Sequence, residues 1–205
     1  NKFMIDYIDR LLVNRKDINL KAVPNSSMHY DPELLESEQA KTYGCEADFN
    51  VWERCVNQTG TPPETLRTAG FHIHVGYNNP TLETTEKLIK AMDLFLGVPS
   101  IIMDTDTERR QMYGKAGAFR AKKYGGEFRV LGGFILKSEE LLAWAYNNTM
   151  RAIDFVNSGR EINDELAKII VNTINNSDID AAREVVEEFG INIIETKKEP
   201  LKIKA

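Results

Sequence analysis

Between Leu66 and Leu96 the hydrophobic period changes from two residues to helical spacing with only a short turn between them. Ile73 and Val75 alternate with His72, His74 and Gly76, so an extended segment over 66–77 carries both imidazoles on one face. Asn78-Asn79-Pro80 turns the chain, and Leu88, Met92, Phe95 and Leu96 then recur at helical spacing. That helix is expected from about Thr81 to Leu96, stopping at Gly97 ahead of Pro99. A strand followed directly by an amphipathic helix makes this a mixed α and β chain.

The remaining pattern is read the same way. Met4, Ile8, Leu11 and Leu12 predict a helix over 2–14, and Ile18 to Val23 a strand. A chain that opens on a helix looks like one whose first elements lie upstream. Asp31-Pro32-Glu33 supplies an N-cap, a first-turn proline and an early acid for a short helix ending near Tyr43-Gly44. Residues 57–64, with Gly60 and Pro62-Pro63, read as a loop, and 127–135 as a strand in which Gly132-Gly133 marks a bulge. Ser138 caps a long helix whose stripe is Leu141, Ala145, Thr149, Ala152 and Val156, ending at Ser158-Gly159. Two amphipathic helices follow, the second closed by Gly190, and a Lys-rich tail starts at Thr196. The expected organisation is a domain over 1–160, a helical extension over 161–195 and a mobile tail over 196–205.

Composition limits the function classes. The 205 residues are 42% hydrophobic and 28% charged, as in folded globular domains. The net charge of −5 disfavours a general nucleic-acid coat, and no apolar run is long enough to span a bilayer. Asp6 and Asp9 interrupt the first ten residues, which lack the basic start and cleavage site of a signal peptide. Cys45 and Cys55 are the only cysteines and suit a reducing compartment, so a cytoplasmic location is expected.

Three groupings could carry chemistry. His72 and His74 could hold a divalent metal, contact a nucleotide, or simply be half-buried and locally hydrogen-bonded. Over 109–129 stand Arg109, Arg110, Lys115, Arg120, Lys122, Lys123 and Arg129 against Glu127 alone, a local +6 in a chain whose remainder is −11. With Gly114, Gly117, Gly125 and Gly126 this suits a polyphosphate, although its spacing is not that of a P-loop; a solvated basic loop and an RNA surface with Tyr113, Phe119 and Tyr124 are the alternatives. Glu127 and Arg129 share a strand face, as a metal ligand beside a fixed charge or as an ordinary ion pair.

Taken together and in order, the segments Arg67–Gly76, Met92–Pro99, Arg109–Arg120 and Tyr124–Leu131, with Gly44–Trp52, resemble the phage-type carboxylate-amine ligases, or amidoligases, relatives of glutamine synthetase and glutamate-cysteine ligase. The resemblance runs from about Tyr43 to Gly159. It implies an α+β fold: an antiparallel sheet whose concave face binds ATP and Mg²⁺ or Mn²⁺, with helices on the other face; the two amphipathic helices beyond Gly159 read as a C-terminal helical cap. It implies that a substrate carboxylate attacks the γ-phosphate of ATP and that an amine displaces phosphate from the acyl phosphate. His72 and Glu127 would hold the metal, with His74 beside it on the ATP side. Arg129 would contact the acceptor carboxylate or the phosphoryl group, and Arg120, Lys115 and Arg109 or Arg110 the nucleotide phosphates.

The sequence departs from the family pattern at Phe71, where Gly is usual, at Ala47, where Pro is usual, and at Gly132-Gly133, where a Ser-Asn-like pair is usual. A further strand region with a Gly-Cys-Asp-Pro-Glu-Phe-like motif and a later glutamate usually complete the metal site; nothing in this chain is read as matching them, so the carboxylate cage reads as incomplete. The implied substrates are small-molecule or peptide carboxylates and amines. An upstream segment of the chain or another phage protein would be a further partner, and the location would be the host cytoplasm. The competing reading is a noncatalytic phage structural or interaction protein that retains the fold.

Overall fold

The computed structural model describes residues 26–41, 48–58 and 63–194; the expected helix over 2–14, the strand at 18–23, Tyr43-Gly44, Cys45 and the tail from Thr196 lie outside them. The strands are β1 Ser27–His29, β2 Phe49–Asn50, β3 Cys55–Val56, β4 Leu66–Thr68, β5 Ile73–Gly76, β6 Ala118–Lys122 and β7 Gly125–Phe128. The helices are α1 Glu38–Lys41, α2 Leu82–Met92, α3 Val98–Met103, α4 Glu108–Met112, α5 Glu139–Asn157, α6 Asp164–Asn176 and α7 Ile179–Glu188. β1 and β4 form a small antiparallel pair; the main sheet has the order β3-β2-β6-β7-β5, antiparallel throughout. This is an α+β fold with antiparallel sheets. Among the described residues no helix is long and apolar enough to cross a membrane.

Alternation decides which side of the main sheet faces the helices. Phe49, Phe119 and Phe128 lie on one side, with the Phe49 and Phe119 rings edge to face at 5.6 Å, and a side chain at Gly126 would run into Thr85 and Ile89 of α2. Behind them Ile89, Met92, Leu94, Leu96, Leu141 and Ala152 continue one apolar core. Fully burying each large side chain contributes about 1.5–3 kcal/mol. Ile170, Ile174, Ala182 and Val185 of α6 and α7 join the same core, so these helices pack against the rest of the described chain.

Several expected boundaries move. The helix expected after Asp31 is a 3-10 turn, Pro32–Leu35, followed by α1, because Asp31 makes no side-chain cap and Ser37 Oγ restarts the helix by accepting from Ala40 N–H at 3.2 Å. The helix starting at Leu82 does not stop at Gly97. It widens into a π-helical turn, Asp93–Gly97, in which Val98 N–H reaches back to the Asp93 carbonyl, and resumes as α3. The wide turn accommodates Pro99, which lacks an N–H and whose ring would crowd the preceding turn of a regular α-helix. The strand expected over 127–135 runs over Gly125–Phe128; Gly132 forms a single bridge to Gly70, and Gly133 opens a 3-10 turn. Ser138 caps α5 as expected, accepting from Leu141 N–H at 3.2 Å, and the positive φ of Gly159 lies just beyond that helix.

At the start of the π turn the fully buried Asp93 ties three elements together. Its Oδ2 accepts from Trp52 Nε1 at 2.7 Å and from Gly117 N–H at 2.6 Å, fixing the entry to β6, while Oδ1 has no hydrogen-bond partner among the described residues. Burial outweighs those two hydrogen bonds and pushes the carboxyl up to about 7. Between the ordinary carboxylate range and that value the folded state holds a proton that the unfolded chain has released, so this group makes stability fall as pH rises through the window. Asp93→Asn is expected to flatten that dependence. Thermal melts at about pH 5 and about pH 8 should show a smaller loss of Tm in the variant than in the parent; equal losses would mean that Asp93 is ionised throughout.

Candidate active site

The other side of the main sheet collects charge. Across three adjacent strands Arg120, Glu127 and His74 stand directly opposite one another, Glu127 being paired in register with both. Lys122 shares the face of Arg120 two residues on, and His72 and Arg129 extend the row toward the end of β7. Asp48, one residue before the Phe49–Phe119 pair, adds a second carboxylate from the approach to β2. The face is graded: Asp48, Glu127 and Arg129 are 3%, 4% and 3% exposed, whereas His74 stands at the surface.

Arg129 is the hub of this cluster. Its Nε donates to Asp48 Oδ1 at 2.6 Å, and its Nη1 to Glu127 Oε1 and to His72 Nδ1, the latter at 3.0 Å. Lys122 Nζ takes the other Glu127 oxygen, Oε2, at 2.7 Å, and Arg120 Nε stands 3.9 Å from Asp48 Oδ1. Burial alone would raise the Glu127 carboxyl, but the hydrogen bonds from Lys122 and Arg129 outweigh it and bring the group down to about 2. Burial and then the Arg129 charge bring His72 down to about 4, so its imidazole is neutral at physiological pH. Burial opposes the charge on Arg129, yet the carboxylates of Asp48 and Glu127 raise it further.

At the open end of the row, His74 Nδ1 is hydrogen-bonded to Tyr124 Oη at 2.6 Å, with the rings 6.2 Å apart. Tyr124 comes from the β6–β7 turn and folds over Gly76. The bond fixes the ring, and Nε2 makes no hydrogen bond among the described residues.

The sequence-expected residues therefore separate into two groups. His72, His74, Arg120, Glu127 and Arg129 come together. Arg109, Arg110 and Lys115 do not join them, because residues 109–129 are not a loop: they form α4, β6 and β7. Arg109 is 4% exposed, and its guanidinium donates to the Val130 carbonyl at 2.9 Å and the Arg129 carbonyl at 3.1 Å. It lies between Gly70 and Gly114, where any side chain would collide with it. Burial, with Arg110 adding to it, lowers Arg109 to about 10, so it stays charged and braces the Arg129 backbone from behind. Arg110 is equally buried against Asp104, at 3.5 Å, and Lys115 donates to the Gln58 carbonyl at 3.1 Å.

The sequence did not single out Asp48, and it offered Lys122 only as one of seven clustered cations and Tyr124 only as an aromatic of the basic segment. The signal for Asp48 was present, and the expectation of no match is corrected: Gly44-Cys45-Glu46-Ala47-Asp48-Phe49 keeps the glycine, the cysteine, the acids and the phenylalanine of the Gly-Cys-Asp-Pro-Glu-Phe-like motif. The cluster therefore has a second carboxylate. Among the described residues, however, no group of three or more His, Cys, Asp or Glu is placed to hold a metal ion. An open groove lined by Phe49, Arg54, Leu82, Glu83 and Glu86 lies by α2, on the helix side of the sheet, and contains none of these residues.

Among curated proteins and among solved structures, nothing matches the chain. A family model does, described as Phage phiEco32-like COOH.NH2 ligase-type 2, and it covers residues 47–154. That segment is a little over half of the 205 residues and contains every member of the cluster from Asp48 to Arg129, together with the buried brace Arg109. By that match, and with its charged face lying wholly inside it, the chain belongs to the phage COOH·NH2 ligase type 2 family, whose members are amide-bond-forming ligases.

Proposed function

We propose that this chain is an ATP-dependent carboxylate-amine ligase that works through an acyl phosphate on the charged face of the main sheet. The observation that carries the reading is the cross-strand row Arg120–Glu127–His74 within the family-matched segment: cations and an imidazole with one nitrogen unengaged, on a rigid sheet backed by the core. Such a surface suits two anionic reactants, a carboxylate and a phosphoryl group, that must be brought together against their mutual repulsion.

In the first step a carboxylate oxygen attacks the γ-phosphorus, and the bond from that phosphorus to the β,γ-bridging oxygen breaks to release ADP. In the second step an amine attacks the acyl carbon, inorganic phosphate leaves, and the nitrogen loses a proton. Arg120 and Lys122, at the more open part of the row, steady the anionic oxygens, since guanidinium and ammonium donors make charge-assisted bonds to phosphoryl and carboxyl oxygens. Buried Arg129, held by Asp48, Glu127 and His72, supplies a fixed positive charge beneath them. His74, oriented by Tyr124, accepts the amine proton at Nε2. Arg109 touches no reactant and acts by fixing the Arg129 backbone.

The primary test is ADP release from ATP by the purified chain across paired panels of carboxylates and amines, with the amide identified by mass. Release that requires both partners is expected; none with any pair would favour the noncatalytic reading. Arg120→Ala is expected to raise the KM for ATP about tenfold or more, through loss of a charge-assisted contact. His74→Gln should slow amide formation about a hundredfold while acyl phosphate, trapped with hydroxylamine as the hydroxamate, still accumulates. Equal loss of hydroxamate and amide in His74→Gln would remove the imidazole from the proton-transfer role.

A further inference from the structure

The magnesium ion that the family resemblance implies for His72, His74 and Glu127 does not fit the donor set on the sheet. Both Glu127 oxygens are engaged by cations, Oε1 by Arg129 and Oε2 by Lys122 at 2.7 Å. The lone pair of the neutral His72 Nδ1 faces Arg129 Nη1 at 3.0 Å, and Asp48 Oδ1 lies 2.6 Å from Arg129 Nε. His74 does not share this focus, its Nδ1 being bound to Tyr124.

What these contacts describe is two carboxylates and an imidazole, drawn from the approach to β2, from β7 and from the approach to β5, converging on one positive group. Oxygen and nitrogen donors of this kind are the ligands divalent metals take, and they are equally the acceptors a guanidinium requires. The group they surround here is part of the chain. A divalent ion placed among them would meet the guanidinium and the Lys122 ammonium at close range, in a region where Asp48, Glu127 and Arg129 are almost fully shielded from water.

The geometry assigns to the Arg129 guanidinium the place of a protein-bound divalent metal: Arg129 is the resident cation of the Asp48–His72–Glu127 donor set, Lys122 is the second counter-cation of Glu127, and the site is organised without a metal of its own. Metal that accompanies a nucleotide is part of the substrate and lies outside this assignment. The assignment rests on the ligase reading only for the role of this face; its test involves no turnover, so an inactive ligase and a metal-holding site are distinguishable results.

The probe is Mn²⁺ alone, titrated into the full chain without nucleotide and followed by the electron paramagnetic resonance signal of the free ion. The parent protein is expected to show no saturable site at up to about millimolar Mn²⁺, and no change of Tm between EDTA and Mn²⁺. Arg129→Met keeps the length of the side chain and removes its charge and donors. That variant, with its fold checked by circular dichroism, should gain one Mn²⁺ site at least about tenfold tighter than any in the parent, and Glu127→Gln added to it should remove the site again. Saturable Mn²⁺ binding by the parent that Glu127→Gln abolishes overturns the assignment, and this arm decides it even if Arg129→Met fails to fold. A folded Arg129→Met that gains no site overturns it as well, because the donors would then not converge on the guanidinium.

Discussion

A guanidinium that is 3% exposed has to find acceptors inside the protein, and Arg129 finds them just before β2, on β7 and just before β5. Sheet hydrogen bonds alone would align these strands; the ion pairs to Arg129 add a requirement on which side chains face one another. Asp48 must precede β2 on the charged side, Glu127 must lie two residues before the arginine, and His72 must end the approach to β5. Since a buried charge stripped of its partners is far costlier than the assembled pair is favourable, the cluster forms as a whole or is strongly destabilising. Charge placement and fold are one constraint here.

The support behind that cluster is equally specific. Arg109 binds the carbonyls of Arg129 and Val130, and Gly70 and Gly114 leave room for its guanidinium. On the helix side, Asp93 holds Gly117 at the entry to β6, and Asn175 Oδ1 of α6 accepts from Ala116 N–H at 2.9 Å. The segment joining α4 to β6 is thereby fixed from two directions, and Arg120 and Lys122 leave a strand whose start cannot drift. α6, outside the family-matched segment, takes part in positioning the site through Asn175.

Much of this was legible in the sequence, for identifiable reasons. Period-two alternation at His72–Gly76 gave a true strand with both imidazoles on one face, and Ser138 marked the start of α5. The ordered segments from Arg67 to Leu131 identified the family. Less was legible wherever long-range contacts override local chemistry. The Arg-Arg pair at 109–110 reads as a phosphate site because exposure is invisible in a sequence, and only the fold shows two carbonyls and two glycines waiting for Arg109. Gly97 and Pro99 read as a helix stop because a π-helical turn that admits the proline has no signal in composition. Lys122 was counted as one of seven cations when its distinction is a cross-strand position, and Tyr124 became visible only when the β6–β7 turn brought it to His74.

The proposed ligase reaction requires its reactants to meet on the charged face of the main sheet. Chemical-shift mapping of ATP on the isotopically labelled chain tests it most directly, since arginine, lysine and histidine side-chain signals report contact separately. Saturable shifts are expected at Arg120, Lys122 and His74, with little change in the buried Arg110. Shifts confined to the groove between β2 and α2, around Arg54, Leu82 and Glu86, with the charged face unmoved, would contradict it.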